Sequence, residues 1–283
     1  MVGAVIVGFG TSAPELLVSG IAALNGDVSL GVGNVVGSNV ANISLVLAAA
    51  ALIAPIFVTR SVLVREAPLS LMAVLLFAFF TTNGFEVWEG IVLLVVLVAA
   101  LSWIIFGGNA ESVEELPEVA DGSVLSSLGT TFGGLIGTLI GAQLMVWGAL
   151  GIAEIAGLSG GFVGFTLVAL GTSLPELVTA VAAARKGETE LILGNLLGSN
   201  MFNSLAVGGV IALLGAGAID DELLRTYGIV AMLLVAIVAW IFMVARQRVS
   251  KPEAIVLLAG YVVALMAISE TGLGESLRSV VQL

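Results

Sequence analysis

GTSAPEL at residues 10–16 and GTSLPEL at residues 171–177 each set a glycine, two hydroxyls, a proline and a carboxylate inside a run that is otherwise apolar. The first copy follows VGAVIVGF and precedes LVSGIAAL. The surrounding composition says what those runs are. Hydrophobic residues make up 59% of the 283 and charged residues 10%, which is the composition of a membrane protein. Apolar stretches close to or above the roughly 20 residues that cross a bilayer as a helix recur along the whole chain. The pattern predicts an all-α polytopic protein with nine spans, near residues 2–24, 28–55, 61–82, 87–106, 126–153, 161–184, 190–215, 224–245 and 253–269. Both GTSxPEL copies then lie within spans, where a proline and a carboxylate are both costly.

The repeat is longer than seven residues. Residues 3–46 align with 164–207 without a gap at a constant offset of 161, with 19 of 44 positions identical. Identity concentrates in GTSxPEL and in GNxxGSNxxN, at Gly33–Asn42 and Gly194–Asn203. Five further spans are entered between Glu15 and Glu176, so the two copies run in opposite directions through the membrane. Inverted repeats of this kind characterise secondary transporters, whose sites form near the midplane where interrupted helices meet. The expected organisation is a first repeat half at 1–106, an acidic linker at 107–125 and a second half at 126–283. A full span, TTFGGLIGTLIGAQLMVWGALGI, precedes the second copy and has no counterpart before the first. The symmetry therefore predicts a missing leading helix, through either a late start or an ancestral loss.

Each block has a chemistry. Pro14 has no N–H, so the Gly10 carbonyl four residues earlier loses its helical partner; Pro175 does the same to Gly171. Gly8 and Gly10, with Ala169 and Gly171, are small residues that let the backbone approach a ligand. Thr11, Ser12, Thr172 and Ser173 add hydroxyl oxygens at the break. Glu15 and Glu176 are the two acidic residues placed deep in spans, with no lysine or arginine at that depth, and such a carboxylate reads as functional. Ser38 and Asn42, and likewise Ser199 and Asn203, are four apart and share a helix face. Gly33, Gly37, Gly194 and Gly198 form small-xxx-small pairs suited to helix packing. Asn39 and Asn200 fit an interhelical hydrogen bond and a site role equally well. Zero cysteines and zero histidines exclude disulfides, thiolate chemistry and His-ligated metals. Two carboxylates among neutral oxygens suit a hard cation: Ca2+ at neutral total charge, or Na+ on subsets of the same oxygens.

These blocks resemble the two alpha repeats of the cation/calcium exchanger superfamily, most closely its prokaryotic sodium/calcium exchangers, over nearly the whole chain. The resemblance implies ten helices, the absent one being the first of two long sliding helices. It also implies cation ligands at Thr11, Ser12, Glu15, Ser38 and Asn42 and at Thr172, Ser173, Glu176, Ser199 and Asn203, with backbone carbonyls of Gly8 and Ala169. Many prokaryotic and potassium-dependent members carry an aspartate where this chain has Asn203, which argues against K+ co-transport. The implied function is electrogenic Na+/Ca2+ antiport by alternating access, with no enzyme activity and no cofactor. A second reading keeps the site and drives it with H+, since a carboxylate between spans can titrate. An intramembrane hydrolase using Ser12 or Ser173 lacks a histidine or lysine base; a passive channel is distinguished by flux without counter-ion.

Charge sets the expected orientation. Arg60, Arg65, Arg185, Lys186, Arg246, Arg248 and Lys251 fall on one side of the nine-span arrangement, and Arg225 and Arg278 on the other. By the positive-inside rule the first side is cytoplasmic, with the linker Glu111–Asp121, and the C-terminus is outside. MVGAVIVGFG lacks the charged region of a removable signal peptide. The net charge is −11, and many of the acids fall in two connections, Glu111–Asp121 and Asp220–Glu222, that read as solvated loops. The expected setting is the plasma or inner membrane, with the lipid bilayer as surroundings, Ca2+ and Na+ as substrates, no nucleic acid and a monomeric state.

Overall fold

The computed structural model describes residue 8, residues 10–106 and residues 124–269. The linker Glu111–Asp121, the C-terminal stretch with Arg278 and the start of the first expected span lie outside them. Among the described residues ten helices form: α1 (Ala13–Leu24), α2 (Val28–Ile53), α3 (Val62–Thr81), α4 (Val87–Phe106), α5 (Val124–Ala156), α6 (Gly160–Thr172), α7 (Leu174–Lys186), α8 (Thr189–Leu214), α9 (Leu224–Arg246) and α10 (Lys251–Ile268). Helices predominate because lipid offers backbone N–H and C=O groups no alternative partner.

Six of these helices are long and apolar enough to cross a membrane, seven if α6 and α7, which meet at 45°, are one span. This makes a multi-pass membrane protein. Of the nine expected spans, the start of the first lies outside the described residues, which hold its later part as α1, and the fifth corresponds to the 33-residue α5.

The most apolar helices are not the most buried. α2 and α8, rich in glycine, serine and asparagine, are 78% and 83% buried, whereas α4, the valine- and leucine-rich helix, is 22% buried. Lipid solvates apolar side chains as well as a protein core does, so small residues that permit close backbone approach occupy the centre. α2 packs along α6, and its last turns on α7; α8 packs along α7, and its last turns on α1 and α4. A Cβ on Gly33 would strike the Gly161 carbonyl, and one on Gly37 the backbone at Phe165, so α2 and α6 touch main chain to main chain. Both central helices widen into a π-helical turn, Asn42–Val46 in one and Asn203–Val207 in the other, starting 161 residues apart.

The connections gather at two ends. At one, Ile56–Phe57 (β1) pairs antiparallel with Arg248–Val249 (β2), and the Arg65 Nη2 donates to the Ile104 carbonyl at 2.7 Å. At the other, Phe85 and Gly217 exchange two backbone hydrogen bonds, the Asp220 N–H donates to Ser29 Oγ at 3.2 Å, and Ser159 donates to the Asp221 carboxylate.

Gly33→Ala is expected to push α2 off α6 and destabilise the protein by about 1–3 kcal/mol. Gly20→Ala, whose Cβ would meet only a side chain at 3.5 Å, is expected to be neutral or stabilising. Thermal unfolding of the two purified variants in detergent compares them directly.

Candidate functional site

The polar inserts break their helices in the same way. Ser12 (φ −87°, ψ 7°) and Ser173 (φ −84°, ψ 6°) leave helical geometry for the bridge region, and each is followed by a helix with proline in its first turn. Proline tolerates that position because the first-turn N–H groups have no intrahelical acceptor. The break turns Thr11, Ser12, Glu15 and their counterparts toward α2 and α8, where the second block lies.

The two inserts bond reciprocally. Ser12 Oγ donates to Glu176 Oε1 at 3.3 Å, and Ser173 Oγ to Glu15 Oε1 at 3.4 Å. Thr11 Oγ1 donates to Asn195 Oδ1 at 3.2 Å, and Thr172 Oγ1 to Asn34 Oδ1 at 3.1 Å. Ser199 Oγ lies 2.9 Å from the Gly8 carbonyl and 3.1 Å from Glu176 Oε1, so its single proton serves one at a time. Ser38 Oγ reaches Asn34 Oδ1 and Thr172 Oγ1, both at 3.5 Å. One turn beyond the serines, Asn42 Nδ2 donates to Asn200 Oδ1 at 3.0 Å, while Asn203 is fully buried. The bonds form two groups, each drawn from both copies: Thr11, Ser12, Glu176 and Ser199 with the Gly8 carbonyl, and Ser38, Thr172, Glu15 and Ser173, joined through Asn34.

The Gly8 and Ala169 carbonyls each hold a backbone bond, from Ser12 N at 3.2 Å and from Ser173 N at 3.0 Å. Thr11 Oγ1 lies 3.1 Å from Gly8 O and Thr172 Oγ1 3.3 Å from Ala169 O, and the single proton of each hydroxyl is shared with the asparagine oxygen of the opposite copy. Gly10 is exposed, with open space where a Cβ would sit.

Four acceptor oxygens have the opposite character. Glu15 Oε2, Glu176 Oε2, Asn42 Oδ1 and Asn203 Oδ1 are buried without a hydrogen-bond partner. Orphaned buried acceptors are costly, and these belong to the two carboxylates and two amides of the repeated motifs. Among the described residues the one salt bridge is Arg246–Glu253 at 3.3 Å, so no basic side chain neutralises Glu15 or Glu176. Glu66 and Glu253 are also buried, each only 4% exposed, which the sequence did not suggest. Both stand at helix starts by the basic end, and Glu253 is held by Arg246 and caps with Ser250.

The family model described as sodium/calcium exchanger protein matches residues 1–106 and 126–269. The chain belongs to the sodium/calcium exchanger family. Within that family it is 35% identical over 268 residues to an uncharacterised membrane protein of Methanocaldococcus jannaschii, covering 95% of this chain and 86% of that one. It is 28% identical over 309 residues to the sodium/calcium exchanger MaX1 of Methanosarcina acetivorans, covering 95% and 88%. A structure of the sodium-calcium exchanger NCX_Mj superposes with a TM-score of 0.72 at 33% identity, over 94% of this chain and 86% of the other. The family is one of membrane transporters of Na+ and Ca2+.

Sequence reasoning left Asn34, Asn195 and Ser19 without a role. Asn34 accepts from Thr172 and donates to Ser19 Oγ at 2.9 Å, and Asn195 accepts from Thr11. Their presence in both copies of GNxxGSN was the available signal. Asn39 and Asn200 make interhelical hydrogen bonds, to Ser204 Oγ at 3.0 Å and to the Asn39 carbonyl at 3.2 Å. Asn34→Leu is expected to cost about 1–3 kcal/mol, because Thr172 and Ser19 lose a buried partner. Combined with Thr172→Val the cost should be less than additive, which a double-mutant cycle of thermal unfolding measures.

Proposed function

We propose that this exchanger moves Ca2+ against Na+ by alternating access, at a site built from both repeat copies. The observation that carries the reading is that the buried oxygens left without partners include those of Glu15, Glu176, Asn42 and Asn203. Two carboxylates match the charge of one Ca2+, and the hydroxyls of Thr11, Ser12, Ser38, Thr172, Ser173 and Ser199, with the Gly8 and Ala169 carbonyls, supply the neutral oxygens a large hard cation accepts. Na+ uses subsets of the same oxygens, so the two ions compete. The reciprocal Ser12–Glu176 and Ser173–Glu15 bonds mean that each carboxylate is held by the opposite copy, which is how an inverted pair shares one midplane site. NCX_Mj, whose structures include soaks with Na+, with Ca2+ and with Sr2+, supports the substrate assignment.

The same reading takes 1–106 and 126–283 as the two halves around the linker 107–125, with nine spans in all. It places the end that carries Arg60, Arg65, Arg185, Arg246, Arg248 and Lys251 in the cytoplasm and the end with Asp27, Asp220 and Asp221 outside. The setting is the cell membrane, and one chain contains every residue of the site, so a monomer suffices.

In proteoliposomes an outward Na+ gradient is expected to drive Ca2+ uptake, and Glu15→Gln or Glu176→Gln to abolish it. Full activity in both variants overturns the site. Collapsing the Na+ gradient while holding a pH gradient should stop uptake; persistence would make H+ the driving ion. Because the chain has no cysteine, single cysteines at Arg60 and Asp220 in intact cells report sidedness cleanly. A membrane-impermeant maleimide is expected to label position 220 and not position 60.

A further inference from the structure

The two halves of the site match at their threonine–asparagine and serine–glutamate bonds, although Ser199 reaches the Gly8 carbonyl and Glu176 where Ser38 reaches Asn34 and Thr172. Thr11–Asn195 answers Thr172–Asn34, and Ser12–Glu176 answers Ser173–Glu15. The symmetry then fails. Asn42 Nδ2 donates to Asn200 Oδ1 at 3.0 Å, but Asn203, its counterpart at the offset of 161, has no partner for either Nδ2 or Oδ1. Asn39, the counterpart of Asn200, turns elsewhere: its Nδ2 donates to Ser204 Oγ at 3.0 Å, and its Oδ1 is also unpartnered.

One sequence difference bears on this, beside the Met232 Sδ that Asn39 Nδ2 also reaches at 3.5 Å. The residue after Asn203 is Ser204, and the residue after Asn42 is Ile43. Ser204 offers Asn39 a buried hydroxyl. Ile43, 4% exposed and packed in the hydrophobic core, offers Asn200 nothing polar. Asn200 Nδ2 therefore donates to the Asn39 carbonyl at 3.2 Å, and its oxygen is left to hold Asn42. An amide whose Nδ2 is tied cannot rotate without breaking that bond, so Asn42 Oδ1 is held in one direction, and it is the oxygen without a partner.

Resting on the exchanger reading above, we propose that Asn200 is a positioning residue that presets Asn42 as an ion ligand, that Asn203 carries no such restraint, and that Ile43 maintains the difference. The exchanger then has one half-site ready-made and one that adjusts as the ion arrives. A preset ligand lowers the reorganisation needed on binding, so the effect falls on affinity and not on the turnover of the loaded protein.

Ile43→Ser tests this while leaving every polar residue of the network in place. The new hydroxyl gives Asn200 the partner that Ser204 gives Asn39 and draws it from Asn42. In Ca2+ uptake assays Ile43→Ser and Asn200→Ala are expected to raise the KM for Ca2+ about three- to tenfold with Vmax retained, and Ile43→Val to leave both unchanged. A fall in Vmax at constant KM, or no change in KM, overturns the proposal. Glu176→Gln run beside them separates the two readings: its inactivity with unchanged KM in Ile43→Ser and Asn200→Ala refutes the positioning role alone. A second readout is independent of transport. In protein labelled with 15N-asparagine, the Asn42 side-chain amide, identified from the Asn42→Asp variant, should exchange slowly with solvent and lose that protection in Ile43→Ser. Equal exchange in the two proteins counts against the proposal even if no uptake is seen.

Discussion

Burying two carboxylates that no basic side chain among the described residues neutralises is the constraint that organises this molecule. Ionised groups so buried need either a counter-charge or a shell of donors. Glu15 and Glu176 receive donors from hydroxyls of the opposite repeat copy, so neither half is complete alone. To aim those hydroxyls inward, the chain interrupts two helices at Ser12 and Ser173. To bring the second block within reach, it packs α2 and α6 main chain to main chain. The glycines, the prolines and the asparagines of both blocks answer that single requirement.

The family resemblance was legible, and with it the residues that the structure gathers at the candidate site, because they repeat. A pattern found twice at a fixed offset is hard to mistake, and the helical character followed from apolar runs that have only helices available to them. Burial was legible only by setting the usual rule aside, as the two spans richest in glycine, serine and asparagine prove to be the interior ones. Pairings within the network could not be read from sequence. Asn39 and Asn200 occupy equivalent positions and are the same residue type, yet they bond differently because of Ile43 and Ser204. That choice depends on a three-dimensional neighbour that no spacing encodes.

Carbonyls were the least legible part of the site. The resemblance implies ligation by the Gly8 carbonyl, yet Ser12 N already donates to it and the Thr11 and Ser199 hydroxyls lie within reach of it, each dividing one proton between it and another acceptor. Threonine and serine near a helix break thus act first as local caps, and their lone pairs face the interior as a result.

The reversed distribution of polarity has a thermodynamic corollary. When α2 and α8 separate from their neighbours inside a micelle or bilayer, the apolar faces of α4 and α9 stay covered by hydrocarbon, and little apolar surface passes into water. The heat-capacity increment of unfolding, which in soluble proteins reports that transfer, is correspondingly small. The stability of such a protein varies less steeply with temperature and rests on contact geometry at its central glycines rather than on expulsion of water.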